Sequence, residues 1–217
     1  MRHLSLTLAC LALALVQGCS VSVAGDGHNL TGVNGNVSAA AGTSYDNVSS
    51  VNGDVRLGRG ASASVAKTVN GDIRIEDEAR VGEATTVNGS VRADRGAQIS
   101  HDARAVNGSI EILERARVGG DVTTANGSIE VDGGEVNGLI TTRNGNIELR
   151  SGARVLGGIH VLEDTNSRHW GRSDPPRVDI GENCVVEGTL RFDREVVLKV
   201  HPTAKIGQVV GDKVRKL

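Results

Sequence analysis

The chain has 217 residues, of which 29 are glycine and only Tyr45, Trp170 and Phe192 are aromatic. A formal charge of −2 with acids and bases interspersed argues against an electrostatic hold on nucleic acid. Ordinary cores of this size use aromatic rings as bulky filler, so this interior has to be built from Val, Ile, Leu and Ala, and that aliphatic content also argues against disorder.

Residues 1–18 have a basic start, Arg2 and His3, followed by an apolar run from Leu4 to Val16. The run is too short to span a bilayer and has the length of a signal-peptide core. It ends in Val16-Gln17-Gly18-Cys19, which resembles a bacterial lipobox, with an aliphatic residue at −3 and a small one at −1. The resemblance implies cleavage before Cys19 and lipidation of that cysteine. Cys10 is a weaker candidate, and a plain secretory peptide is the alternative. In lipoproteins an Asp after the lipidated cysteine usually marks inner-membrane retention, so Ser20 implies an outer-membrane address, on the periplasmic or the surface side. With Cys10 removed and Cys19 acylated, Cys184 has no partner for an intramolecular disulfide. Residues 19–31 read as a lipidated tether.

Residues 32–161 carry an internal repeat, which decides the fold before any local assignment. Asn-Gly recurs at Asn34, Asn52, Asn70, Asn88, Asn107, Asn126 and Asn144, in steps of 18, 18, 18, 19, 19 and 18 residues. Another Asn-Gly, at Asn137, is out of phase and belongs to a different turn. Between the marks, apolar residues alternate in short runs, as in Ile73-x-Ile75 followed by Ala79-x-Val81. Alternation of this kind means strand, and three short strands with tight turns fit one turn of a β-helix. The predicted fold is all-β: a single-stranded parallel β-helix, expected to be right-handed, with about nine coils of 18–19 residues. At about 4.8 Å per coil, that is a rod on the order of 40 Å long.

The Asn-Gly pair ordinarily suggests a hairpin, but an in-phase repeat is better served by a coil corner. Either the asparagines turn inward and bond one another as a ladder, or they are solvent-facing turn formers. Thr68, Thr86, Thr124 and Thr142, two places earlier, suggest a parallel hydroxyl row. The residue before each Asn is Val33, Val51, Val69, Val87 and Val106, then Ala125 and Arg143. Because a buried slot would not accept the arginine without a large cost, this position is expected to point at least partly outward. The result is either a valine stripe that marks a contact surface or a corner position half-covered by adjacent coils.

Residues 162–177 interrupt the repeat and hold Trp170 beside His169. The segment is either a tolerated insertion with Trp170 folded over the flank or, since loops on rigid scaffolds often carry function, a partner- or glycan-binding element. Glu163, Asp164, His169 and Asp174 match no common metal-site spacing. The core pattern resumes over 178–210, with Cys184 in the slot held elsewhere by Ala79, Ala116 and Ala153, and 211–217 form a basic tail.

The Ala-x-Val-Gly-Gly-Asp-Val run at 116–122 resembles the coils of bactofilins, the polymer-forming cytoskeletal proteins. The Thr-x-Asn-Gly-Ser-Ile run at 124–129 resembles adhesin-type β-solenoids of bacterial envelopes. Together these likenesses cover roughly 33–210, and they transfer fold better than function. The lipobox-like motif is a departure from the typical cytoplasmic bactofilin and moves such a role to the envelope, so the likenesses and the motif together imply an envelope-anchored structural, adhesive or self-assembling protein without enzymatic activity or cofactor. The expected partners are the membrane through its N-terminal lipid, further copies of itself, and an envelope polymer or glycan, with Val51, Val69, Val87, Val106, His169 and Trp170 as candidate contacts. The alternative is a solenoid ligand-binding protein or enzyme centred on 162–177. A hexapeptide-acyltransferase version is suggested by an aliphatic every six residues, but His160 and His201 lack a recognisable catalytic context. A polysaccharide-acting version lacks the aromatic sugar platforms such enzymes use.

Overall fold

The period-2 alternation of aliphatic residues dictates short strands with one buried edge, and the computed structural model stacks them into a parallel β-solenoid. It describes residues 21–22, 28–163, 174–211 and 213–216. Each coil contributes strands to three faces. The first face is a ten-stranded parallel sheet from Val37–Ala39 to Val214–Lys216, one strand per coil. The other two faces belong to one 17-stranded sheet that bends along the rod. In the early coils single nine-residue strands, Ser44–Asn52, Ser62–Asn70 and Arg80–Asn88, run through the bend, and in later coils it separates two strands, such as Gln98–Ile99 and Ala103–Asn107.

Register is strict. Val37 pairs with Val55, Val55 with Ile73 and Ile73 with Val91, and the row continues through Ile110, Ile129 and Ile147 to Val178. Like residues therefore stack on like residues, and the interior is a set of aliphatic columns. Ile73, Ile110, Ile129, Leu149 and Ile159 are fully buried, each such side chain contributing about 1.5–3 kcal/mol. Phe192 enters the same column as Val161.

Turns set the remaining small-residue columns. Between the first and second faces, Ala61, Ala79, Ala97, Ala116, Ala153 and Cys184 sit at 0 % exposure. Each donates its backbone N–H to the carbonyl three residues earlier, as Ala79 does to Glu76 at 3.0 Å. Cys184 is a core residue of this column, and burial pushes its thiol pKa above the ordinary value.

Both ends of the solenoid differ from those expected from sequence. The solenoid begins inside the expected tether, with Asn29–Asn34 paired in parallel to the next coil. Val21–Ser22 runs antiparallel against that strand. At the other end Val214–Lys216, read as basic tail, forms the tenth strand of the first face and pairs with Val196–Leu198. Both shifts have one cause: an unpaired strand edge offers backbone donors and acceptors that any adjacent segment can satisfy, whatever its composition.

Candidate functional site

At the corner between the third and first faces, the Asn-Gly pair divides the work between its residues. A Cβ on Gly53, Gly71, Gly89, Gly108, Gly127 or Gly145 would lie 1.8–2.2 Å from the carbonyl oxygen of the corresponding glycine one coil earlier. The coils approach so closely here that only glycine fits.

The carbonyls are held from inside by hydroxyls. Ser50, Thr68, Thr86 and Thr124 donate to Gly35, Gly53, Gly71 and Gly108 at 3.0, 2.8, 3.0 and 2.8 Å. Thr68, Thr86 and Thr124 therefore form a parallel hydroxyl row in which each hydroxyl donates to a glycine carbonyl one coil earlier. In the same column, the buried Thr142 Oγ1 has no partner among the described residues. Thr86→Val is expected to cost about 1–3 kcal/mol by removing the hydroxyl that the part-buried Gly71 carbonyl accepts from, whereas Thr142→Val is expected to be neutral or slightly stabilising. Chemical denaturation of the two variants checks this, and an equal loss in both would refute it.

With glycine carbonyls and hydroxyls filling the inside of the corner, the asparagines lie outside. All seven are exposed, and from Asn52 onward each side-chain amide donates to the Oδ1 of the asparagine one coil earlier. The six bonds, from Asn52→Asn34 to Asn144→Asn126, measure 3.0, 2.8, 2.8, 2.9, 2.8 and 3.1 Å. The ladder is continuous but faces outward, unlike the inward arrangement considered from sequence. Its upper end is closed by Arg194, two coils on, which donates to Asn144 Oδ1 at 2.7 Å and to the Arg143 carbonyl at 3.1 Å.

A second ladder, not read from the sequence, runs two residues beyond each Asn. Asn36, Asp54, Asp72, Ser90 and Ser109 each accept the backbone N–H of the equivalent residue in the next coil, at 2.8, 2.9, 2.7, 3.2 and 3.3 Å. Its signal was present: the residue after each Asn-Gly is Asn, Asp or Ser in all seven repeats. The out-of-phase Gly138 belongs to a second glycine stack at the bend between the second and third faces, with Gly120, Gly157, Gly188 and Gly207. At that bend the Asp121 N–H, and then Arg104, hold the Asp102 carboxyl below its ordinary range.

The position before the ladder does point outward. Val33, Val51, Val69 and Val106 are 58, 43, 37 and 44 % exposed, while Val87, Ala125 and Arg143 are half-buried. These residues form an apolar row along the flat third face. Near its upper end Ala105, Val106, Ala125, Arg143 and Leu162 border a shallow hollow of about 240 Å³.

Beyond this row His160 Nε2 lies 2.7 Å from Asp193 Oδ2, and Arg191 Nε donates to Asp193 Oδ1 at 2.9 Å. Arg191 and then His160 hold Asp193 below the ordinary carboxylate range. Glu163, Arg191, Asp193, Arg194 and Lys213 line an open hollow of about 740 Å³. His201 bonds Thr203 at 2.8 Å and is not part of this cluster. Cys19, Asp164, His169 and Trp170 lie outside the described residues. Among the described residues no group of three or more His, Cys, Asp or Glu is arranged to hold a metal ion, and no helix is long and apolar enough to cross a membrane.

The fold and its surface define a class, an all-β parallel solenoid whose corners are built from stacked Asn-Gly pairs. Comparison with family models, with curated proteins and with solved structures finds no match.

Proposed function

We propose that this protein is a structural solenoid of the bacterial envelope, anchored through lipid on Cys19, whose flat sides associate with further copies of the chain or with an envelope polymer or glycan. The carrying observation is the valine row, four of whose members are well exposed on consecutive or nearby coils of a rigid face. Exposed apolar area that continues along a surface is the usual mark of a contact site. The lipobox-like Val16-Gln17-Gly18-Cys19 supports the anchor, and the coil motifs resembling bactofilins and envelope adhesins support a scaffolding or adhesive role over catalysis.

The test is light scattering and electron microscopy of the protein freed of its lipid. Concentration-dependent oligomers are expected, and Val51→Thr, Val69→Thr and Val106→Thr combined are expected to reduce them while keeping the β-branched shape the strands favour. Monodisperse monomers at high concentration would overturn self-association. For the anchor, Cys19→Ala is expected to move the protein out of the membrane fraction.

A further inference from the structure

The outward positions of the first face carry a charge pattern that composition conceals. Arg56, Arg74 and Arg92 stack in register on successive coils, and directly above them stack Glu111, Glu130 and Glu148, then Asp179. Neighbouring strands are about 4.8 Å apart, so each block holds like charges opposite one another, an arrangement that destabilises a ladder.

Neutralisation within the chain is partial. Glu76 pairs with Arg56, Asp94 is shared by Arg74 and Arg92 at 2.8 and 2.9 Å, and Arg92 also meets Glu111 where the blocks join. Arg150 serves both Glu130 and Glu148, at 2.9 and 2.6 Å. The paired arginine and glutamate side chains of the two blocks remain 34–58 % exposed, open to a partner.

The geometry points to a second copy of this chain, docked first face to first face with the rods antiparallel. A two-fold axis crossing the rod between Arg92 and Glu111 sets Arg92 against Glu111 of the second copy, Arg74 against Glu130, and Arg56 against Glu148. Symmetry doubles these to six pairs, because an isologous contact uses the same patch on both copies. The flanking row agrees: Ser90 meets Ser109, Asp72 meets Ser128 and Asp54 meets Asn146, with no like charges opposed. On the other flank Glu76 faces Asp132, the one unfavourable match, with Arg74 beside it. Parallel docking would set arginine on arginine and glutamate on glutamate. A polyanion is the other occupant the arginines attract, but Asp54 and Asp72 line the same groove and oppose it. This inference rests on the reading of the protein as self-associating, but not on the valine row.

The test is a charge swap on the full chain in detergent, read by sedimentation velocity. One variant carries Arg56→Glu, Arg74→Glu and Arg92→Glu, the other Glu111→Arg, Glu130→Arg and Glu148→Arg, all at outward positions that leave the core intact. The unaltered chain is expected to dimerise at about 0.01 M salt and to dissociate towards 1 M, as the screening length falls from about 30 to about 3 Å. Each variant on its own is expected to associate roughly tenfold or more weakly, and an equimolar mixture is expected to restore the dimer. Variants that dimerise as the parent does, or a mixture that stays monomeric, would overturn the proposal. If the valine variant loses assembly while both charge variants keep it, the scaffold reading survives and this interface does not. A parent that is monomeric at low salt overturns this interface, and one that is monomeric at every salt concentration overturns self-association altogether.

Discussion

Gly89→Ala is expected to lower the thermal unfolding midpoint by roughly 10 °C, and Gly60→Ala by only a few degrees. The new Cβ at residue 89 would lie 1.9 Å from the Gly71 carbonyl oxygen, so two coils must separate at a corner tied by Asn70, Thr86 and Asn88. Steric conflict with a backbone that cannot retreat falls among the most destabilising single changes, here about 3–5 kcal/mol, and about 2–4 °C accompanies each kcal/mol at this size. Gly60 has a φ of 66° but open space around its would-be Cβ. The corresponding turn position in other coils is held by Glu78 and Arg115 at φ 59° and 58°, so the fold already tolerates side chains there. Matching losses in the two variants would show that backbone conformation, not coil contact, makes glycine necessary.

Ile129→Ala is expected to cost about 2–5 kcal/mol, against less than about 1 kcal/mol for Val214→Ala. Ile129 is 0 % exposed and lies between Ile110 and Ile147 in its column, so truncation leaves a cavity walled by coils on both sides. Val214 is half-buried and pairs with Val196 in the tenth strand of its face. In a stack where each unit contacts its neighbours, a middle coil contributes two interfaces. Urea unfolding measures both, and equal losses would contradict the nearest-neighbour picture.

Much of the fold was legible because a solenoid writes its geometry as a period. The 18- and 19-residue steps correspond to in-register pairs such as Asn88 with Asn107 and Asn107 with Asn126. Cys184 was assigned to the alanine column by position, and the outward aim of the valine row followed from the cost of burying Arg143. The second ladder was also legible, because the residue after each Asn-Gly is Asn, Asp or Ser in every repeat. Arg194 was not legible: it lies two coils above Asn144, but the 162–177 insertion stretches the separation to 50 residues and breaks the period.

By itself the sequence determined the number of faces per coil, the aliphatic columns and the corner residues, because these depend on alternation and repeat spacing along the chain, whereas whether the second and third faces share one strand, as in Ser62–Asn70, was decided by the fold. Only the tertiary structure decided which way the corner asparagines face and what the threonines bond, because both depend on how much space stacked glycines leave between coils. It also decided the meaning of the charges. Arg56, Arg74 and Arg92 are 18 residues apart and look interspersed with acids along the chain, and stacking brings them into one block against Glu111, Glu130 and Glu148. Net charge is a property of the sequence, whereas the distance between charges is set by the fold.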